Sequence, residues 1–223
     1  MSSTVWRNWS RIESVTPARV AYPGSPDEVV RAIAAARADG LRVKPIGAGH
    51  SFTGIAVAPG VQLDLRNLQG VLAVDEQRHR VKLAAGTHLY RLPELLKPYG
   101  LALQNMGDID AQTIAGATST GTHGTGHAFG GLATQIVAVT LATADGRVLE
   151  ISENSNAELL DAARLGLGAL GVLLDITVQC VPAFQLQAIE KPEPLAEVLA
   201  QWEQRGRART TSSSTGSRTR RPR

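Results

Sequence analysis

Cysteine is almost absent: Cys180 stands alone, so neither an internal disulfide nor a multi-cysteine zinc site can form. No run of about 18 apolar residues exists to cross a bilayer as a helix. The opening residues, MSSTVWRNWSR, lack the apolar stretch of a secretory signal. These absences lead us to expect a soluble, cytoplasmic protein with no metal and no association with membranes. Acid is missing from one region only. Seven arginines and no acidic residue lie in 205–223, which leaves 16 basic against 20 acidic groups in the preceding 204 positions. The net charge of +3 is therefore a property of the tail. Nucleic acid, the partner that an excess of Lys and Arg would invite, is not expected, because the tail has no aromatics interleaved with its arginines to stack on bases. It also has no aliphatic residue larger than alanine, cannot bury a core, and is expected to be disordered.

What remains is long enough for one or two cores. Ser25-Pro26-Asp27-Glu28 supplies an N-cap, a proline at the first helical position and an acid at the third. Val29, Val30, Ile33, Ala34 and Ala36 follow at helical spacing, and Asp39-Gly40 closes the helix. Strands are predicted at 20–22 and 41–45 on either side of it, which makes this unit α/β. Further strands are expected at 61–65, 71–75, 81–84, 136–142, 147–151 and 172–181, with a helix over 89–97. The chain is mixed α and β throughout.

Two glycine-bearing stretches lie between these elements. Ile46-Gly47-Ala48-Gly49-His50-Ser51 leaves a strand directly, and its glycines let backbone N–H groups approach an anion such as a dinucleotide diphosphate. A structural turn would have the same composition. A Rossmann fingerprint would need glycine where Phe52 stands, and the Gly-Lys-Ser/Thr ending of a P-loop is absent. The second stretch, 105–127, is rich in Gly, Ser and Thr and suits either a polar ligand or a plain surface loop. His123 and His127 are four apart, as in helical zinc pairs, but His-Gly-Thr-Gly-His is poor helix and lacks the glutamate of such motifs. His79 and His88 read as solvated surface.

Four ordered segments carry a resemblance: 46–56 (IGAGHSFTGIA), 107–110 (GDID), 112–126 (QTIAGATSTGTHGTG) and 166–172 (GLGALGV). Together they resemble the FAD domain of the aldonolactone oxidoreductases, of the D-arabinono-1,4-lactone oxidase and L-gulono-1,4-lactone dehydrogenase type, within the vanillyl-alcohol oxidase superfamily. The likeness runs from Trp6 to about Phe184. It implies an α+β fold of the vanillyl-alcohol oxidase/p-cresol methylhydroxylase (PCMH) type, with an FAD domain over 13–182. Its α/β subdomain would be about 13–70 and its α+β subdomain 71–182, followed by the start of a substrate domain at 183–204.

The resemblance also implies that Ile46, Gly47, Ala48, Gly49, His50, Ser51 and Phe52 hold the FAD diphosphate, with His50 at the position where relatives often attach the flavin 8α carbon. Gly107, Asp108, Thr113, Thr118, Gly121, Thr122, His123 and Gly124 match positions lining FAD, and Val172 a position whose backbone meets the adenine portion. The implied reaction is hydride transfer from C2 of a sugar lactone to flavin N5, with oxygen or another acceptor taking the electrons. The family's His-Trp-x-Lys motif in the substrate domain is absent here. Two alternatives therefore stand beside lactone oxidation: an inactive FAD-binding fragment, and an alditol or other alcohol oxidase. Thr210 to Thr219 can be encoded by codons that, read two bases on, give Asp-Leu-Glu-Phe-Tyr-Trp-Phe-Pro-His, the aromatic run of the family. We therefore expect a shifted reading frame that truncates the family-like sequence near 204. Exposed apolar surface is expected near 172–176, where a missing domain would dock.

Overall fold

The computed structural model describes residues 4–208. The readings made for 209–223, including the shifted frame, lie outside the described residues. Two short antiparallel strands, β1 (Trp6–Arg7) and β2 (Ser14–Val15), open the chain. β3 (Arg19–Ala21), α1 (Pro26–Ala38), β4 (Val43–Ile46) and β5 (Val61–Asp64) then build a parallel sheet in the order β3-β5-β4. α1 starts where its caps dictate. The Ser25 hydroxyl accepts from the Glu28 N–H at 3.3 Å, and the Glu28 carboxylate reaches back to the Gly24 N–H at 2.7 Å. Val29, Ile33 and Ala36 form its buried stripe.

The second unit runs through β6 (Val71–Asp75), β7 (Arg80–Ala84), α2 (Leu92–Leu96), β8 (Leu101–Ala102), α3 (Ile114–Ser119), β9 (Ile136–Ala142), β10 (Val148–Ser152), α4 (Leu160–Arg164), β11 (Val172–Gln179) and β12 (Val181–Pro182). Its main sheet is antiparallel, in the order β10-β9-β11-β7-β6. α5 (Leu195–Ala200) and α6 (Trp202–Ala208) end the described chain, with Leu195, Leu199 and Trp202 exposed. Among the described residues no helix is long and apolar enough to cross a membrane.

One aliphatic core joins the two units. Val29, Ile33 and Leu63 of the first unit belong to the same buried cluster as Leu83, Leu89, Ile114, Val139, Ile176 and Val178 of the second. Full burial of each such side chain contributes about 1.5–3 kcal/mol.

Several expectations need correction. The helix predicted over 89–97 is broken into a 3₁₀ turn (Leu89–Arg91), α2 and a second 3₁₀ turn (Lys97–Tyr99), because Pro93 and Pro98 bring no N–H to a continuous ladder. The strand predicted over 172–181 divides at Cys180, whose N–H donates to His79 O at 2.8 Å, and β12 turns to pair with β8. Residues 172–176 are buried, not exposed: Val172, Leu174 and Ile176 are 3% accessible or less. As the central strand between β7 and β9, β11 is covered on both sides of its ladder. His88 is half-buried, its Nδ1 bonded to Ala111 O at 2.9 Å. Arg205–Ala208 is helical rather than disordered, because Arg and Ala favour helix and Arg205 is anchored to Glu193 at 2.7 Å and to Gln201 at 2.9 Å.

Candidate functional site

β4 delivers Ile46, 5% accessible, to the carboxyl end of the parallel sheet, where the chain leaves as the loop 47–51. Ligands of open α/β sheets bind at such ends. Gly49 takes φ +69°, a left-handed conformation that side chains rarely adopt. Gly47 lies so close to Thr113 that a Cβ would collide with the Thr113 hydroxyl. The loop is thereby set against the start of α3, whose N-cap is Thr113.

The hydrogen-bond pattern distinguishes these two neighbours. At α3 the first N–H groups are used internally: Ile114 donates to Thr87 O at 2.7 Å, Ala115 to Ala85 O at 3.2 Å and Gly116 to the Thr113 hydroxyl at 3.2 Å. By contrast, among the described residues no N–H from Gly47 to Ser51 donates to a protein acceptor. Five consecutive backbone donors are left for water or a ligand.

They border an open groove lined also by Lys44, Gln112, Ser119, Thr120, Leu167, Gly168 and Leu173. Lys44 is in no ion pair among the described residues, so its ammonium is available to an anion. Cys180 is no candidate nucleophile, because burial pushes its thiol up to about 11. Among the described residues no group of three or more His, Cys, Asp or Glu is placed to hold a metal ion.

The sequence-predicted residues divide into two groups. Ile46, Gly47, Ala48, Gly49, His50, Ser51 and Thr113 meet in the groove. Gly107, Thr122, His123 and Gly124 form a neighbouring cluster: a Cβ on Gly107 would stand 3.1 Å from His123 O, and one on Gly124 2.5 Å from Asn105 Oδ1. Gln112 connects the groups, since it lines the groove and donates to the Thr122 hydroxyl at 3.2 Å. Asp108 lies exposed beside this cluster, and Gly121 packs toward Leu165.

Three further candidates belong neither to the groove lining nor to the neighbouring cluster. Phe52 is 67% exposed, and Val172 is buried between two lining residues, Gly171 and Leu173. The Thr118 hydroxyl donates to Ile114 O and lies in range of Ala115 O, so it serves the helix. Lys44, Gln112 and Ser119 were not singled out by sequence. The one available signal was that Lys44 sits two residues before the glycine loop.

A sequence profile described as the FAD binding domain matches residues 17–152. The chain belongs to this family. The FAD-binding domain is 44% identical to L-gulonolactone oxidase of Bos taurus over 87% of this chain and 44% of that protein. It is 42% identical to L-gulono-1,4-lactone dehydrogenase of Mycobacterium tuberculosis over 88% and 45%. With D-arabinono-1,4-lactone oxidase of Kluyveromyces lactis it shares 32% identity over 91% and 39%. The chain thus spans less than half the length of these relatives.

Among solved structures, the carbohydrate oxidase of Microdochium nivale superposes with a TM-score of 0.71 at 23% identity, over 76% of this chain and 37% of that one. The 6-hydroxy-D-nicotine oxidase of Arthrobacter nicotinovorans gives 0.70 at 24%, over 81% and 39%. The fold of this FAD-binding domain is the mixed α and β fold of the vanillyl-alcohol oxidase/PCMH type, and its cofactor is FAD. The residues present fit that group. Five free N–H groups and an unpaired lysine suit a diphosphate.

Proposed function

We propose that this chain is the FAD-holding part of a sugar-1,4-lactone oxidoreductase. In this reading 13–182 is the FAD domain, with subdomains of about 13–70 and 71–182, and 183–204 begins the substrate domain. The observation that carries it is the run of unpartnered donors at Gly47 to Ser51, in residues that line a groove shared with Lys44. Identity of 44% to a lactone oxidase supports the substrate class.

Each residue has a task that its geometry allows. The 47–51 N–H groups grip the diphosphate, with Lys44 neutralising part of its charge. Gly47 lets that backbone approach Thr113, and Thr113 holds the start of α3 against the loop. Gly107, Asp108, Thr113 and Gly121 to Gly124 line the cofactor through backbone or side chain and Val172 meets it through its backbone, whereas Thr118, its hydroxyl bonded to Ile114 O, braces α3 behind them. Gln112 holds Thr122, and so fixes the cluster formed with Gly107, His123 and Gly124 relative to the groove. His50 lines the groove where it would supply the imidazole for a covalent link to the flavin. When bound, FAD would supply a two-electron acceptor for oxidation of a sugar lactone at C2, with dioxygen or another acceptor as the electron sink.

The test is the purified chain saturated with FAD. A flavin spectrum that bleaches anaerobically with an aldonolactone, and not with alditols, is the expected result. A flavin spectrum that no lactone bleaches removes the activity but keeps the cofactor. Folded protein that takes up no FAD removes both.

A further inference from the structure

β1 with the turn after it, residues 6–9, and the loop that follows β4 are about 40 residues apart in sequence, yet they make four separate contacts. The Trp9 N–H donates to Gly49 O at 2.9 Å. The Asn8 side-chain amide donates to Ser51 O at 2.7 Å. The Trp6 ring lies against Gly49, where an added Cβ would stand 3.1 Å from Trp6 Cζ2. The Trp9 ring stacks on the His50 imidazole, with centroids 4.8 Å apart and planes 23° from parallel.

Asn8 is itself fixed. It is 3% accessible, and its side-chain oxygen accepts from the Glu13 N–H at 3.1 Å, within the turn between β1 and β2. Trp9, by contrast, is 59% exposed and meets the edge of the exposed Phe52 ring, with centroids 5.8 Å apart. A tryptophan so exposed adds little to the core, so its orientation over His50 calls for a local role.

We propose that residues 6–9 form a clamp that presets the 49–51 loop, and that Trp9 is a positioning residue holding the His50 imidazole in its flavin-linking orientation. The two hydrogen bonds use carbonyls of Gly49 and Ser51, which leaves the N–H groups of the loop free for the dinucleotide. The stacked ring restricts rotation of the His50 side chain, so a nitrogen stays aimed at the carbon it must attack. This inference rests on His50 being the linking residue. In that step a bond forms between an imidazole nitrogen and the flavin 8α carbon, while a C–H bond of the 8α methyl and the imidazole N–H break. The electron pair and the two protons pass to the flavin ring, leaving it two-electron reduced, and dioxygen takes both electrons and both protons as hydrogen peroxide.

The experiment compares the full chain with W9L, W9F and H50A. Each is loaded with FAD in air, and the flavin mass retained after denaturation is followed with time. W9L should slow attachment by about tenfold or more, since a small misplacement of a reacting group costs that much, while FAD affinity stays within about threefold. W9F, which keeps a stacking ring, should restore most of the rate, and H50A should retain none.

Attachment in W9L at the wild-type rate overturns the proposal. Should wild type bind FAD and retain no flavin mass, the linkage reading fails by itself. The clamp is then judged on the His50 ring-proton signals of the apo chain. The Trp9 ring current should displace them upfield in wild type, and they should return to ordinary positions in W9L. Identical His50 signals in the two proteins overturn it.

Discussion

Lys44 is the residue whose role charge decides most directly. A diphosphate brings two negative charges into the groove, and Lys44 is the only Lys or Arg side chain that lines it among the described residues. Replacing it with methionine should weaken FAD binding by about five- to tenfold at low salt, and by less at high salt, as expected of a partly exposed charge-assisted contact. K44R should stay near wild type. An FAD titration at two ionic strengths checks this, and equal affinity for K44M and wild type would remove the assignment. Sequence alone hides such a residue, because a lysine on an alternating strand looks like any solvated position. Glycines were easier to read. Gly47 and Gly49 flank a small residue after a strand, and the structure shows that each sits where a side chain would strain the backbone or collide. Thr118 marks the opposite limit. Its hydroxyl looks ligand-like in a Ser/Thr-rich stretch, and only the helix geometry reveals its bonds to carbonyls.

At the scale of elements, α1 was legible because its stop and start signals are local. Ser25→Ala removes the N-cap acceptor and should cost about 1 kcal/mol, lowering the melting temperature by roughly 2–4 °C for a domain of this size. Calorimetry of the variant measures it, and an unchanged midpoint would mean that the cap is idle. α3 was not legible, since Gly116, Thr118 and Ser119 are poor helix formers. It exists because Thr87 and Ala85 accept its first N–H groups and because Ile114 and Ala117 are buried, all of which are long-range facts. α6 has a comparable tertiary origin. Arg205, and after it Lys191, hold the Glu193 carboxyl well below its ordinary 4.5, at about 2. A lowered folded-state value means that the pairing contributes fully above pH 4.5 and fades as pH falls toward 2. Amide exchange in α6 should therefore accelerate across that window in wild type. In E193Q it should be fast already at neutral pH, and an α6 exchange rate that is flat with pH in wild type would contradict the pairing.

At the scale of the molecule, the decisive fact is that the groove is assembled from both sheets. Its 47–51 wall follows the parallel sheet, whereas Thr113, Gly116 and Leu173 belong to segments packed with the antiparallel one. The sequence patterns of strands and helices suggest two units, but nothing in those patterns says that Val29, Ile33 and Leu63 share one core with Leu83 and Ile176. A shared core makes unfolding a single cooperative event, and a ligand gripped from both sides must then stabilise the whole. At a free concentration of 100 times its dissociation constant, FAD adds about 2.7 kcal/mol to the folded state. At roughly 2–4 °C per kcal/mol, the midpoint should rise by about 5–11 °C as one transition, with calorimetric and van't Hoff enthalpies equal. Non-covalent loading, for instance in H50A, keeps the linkage reversible. Leu83→Ala tests the same coupling from the antiparallel side. It should cost about 2–5 kcal/mol and lower that one midpoint, rather than split off a stable parallel unit. Two transitions, only one of them moved by FAD, would show that the sheets unfold independently and that the groove is not held by a common core.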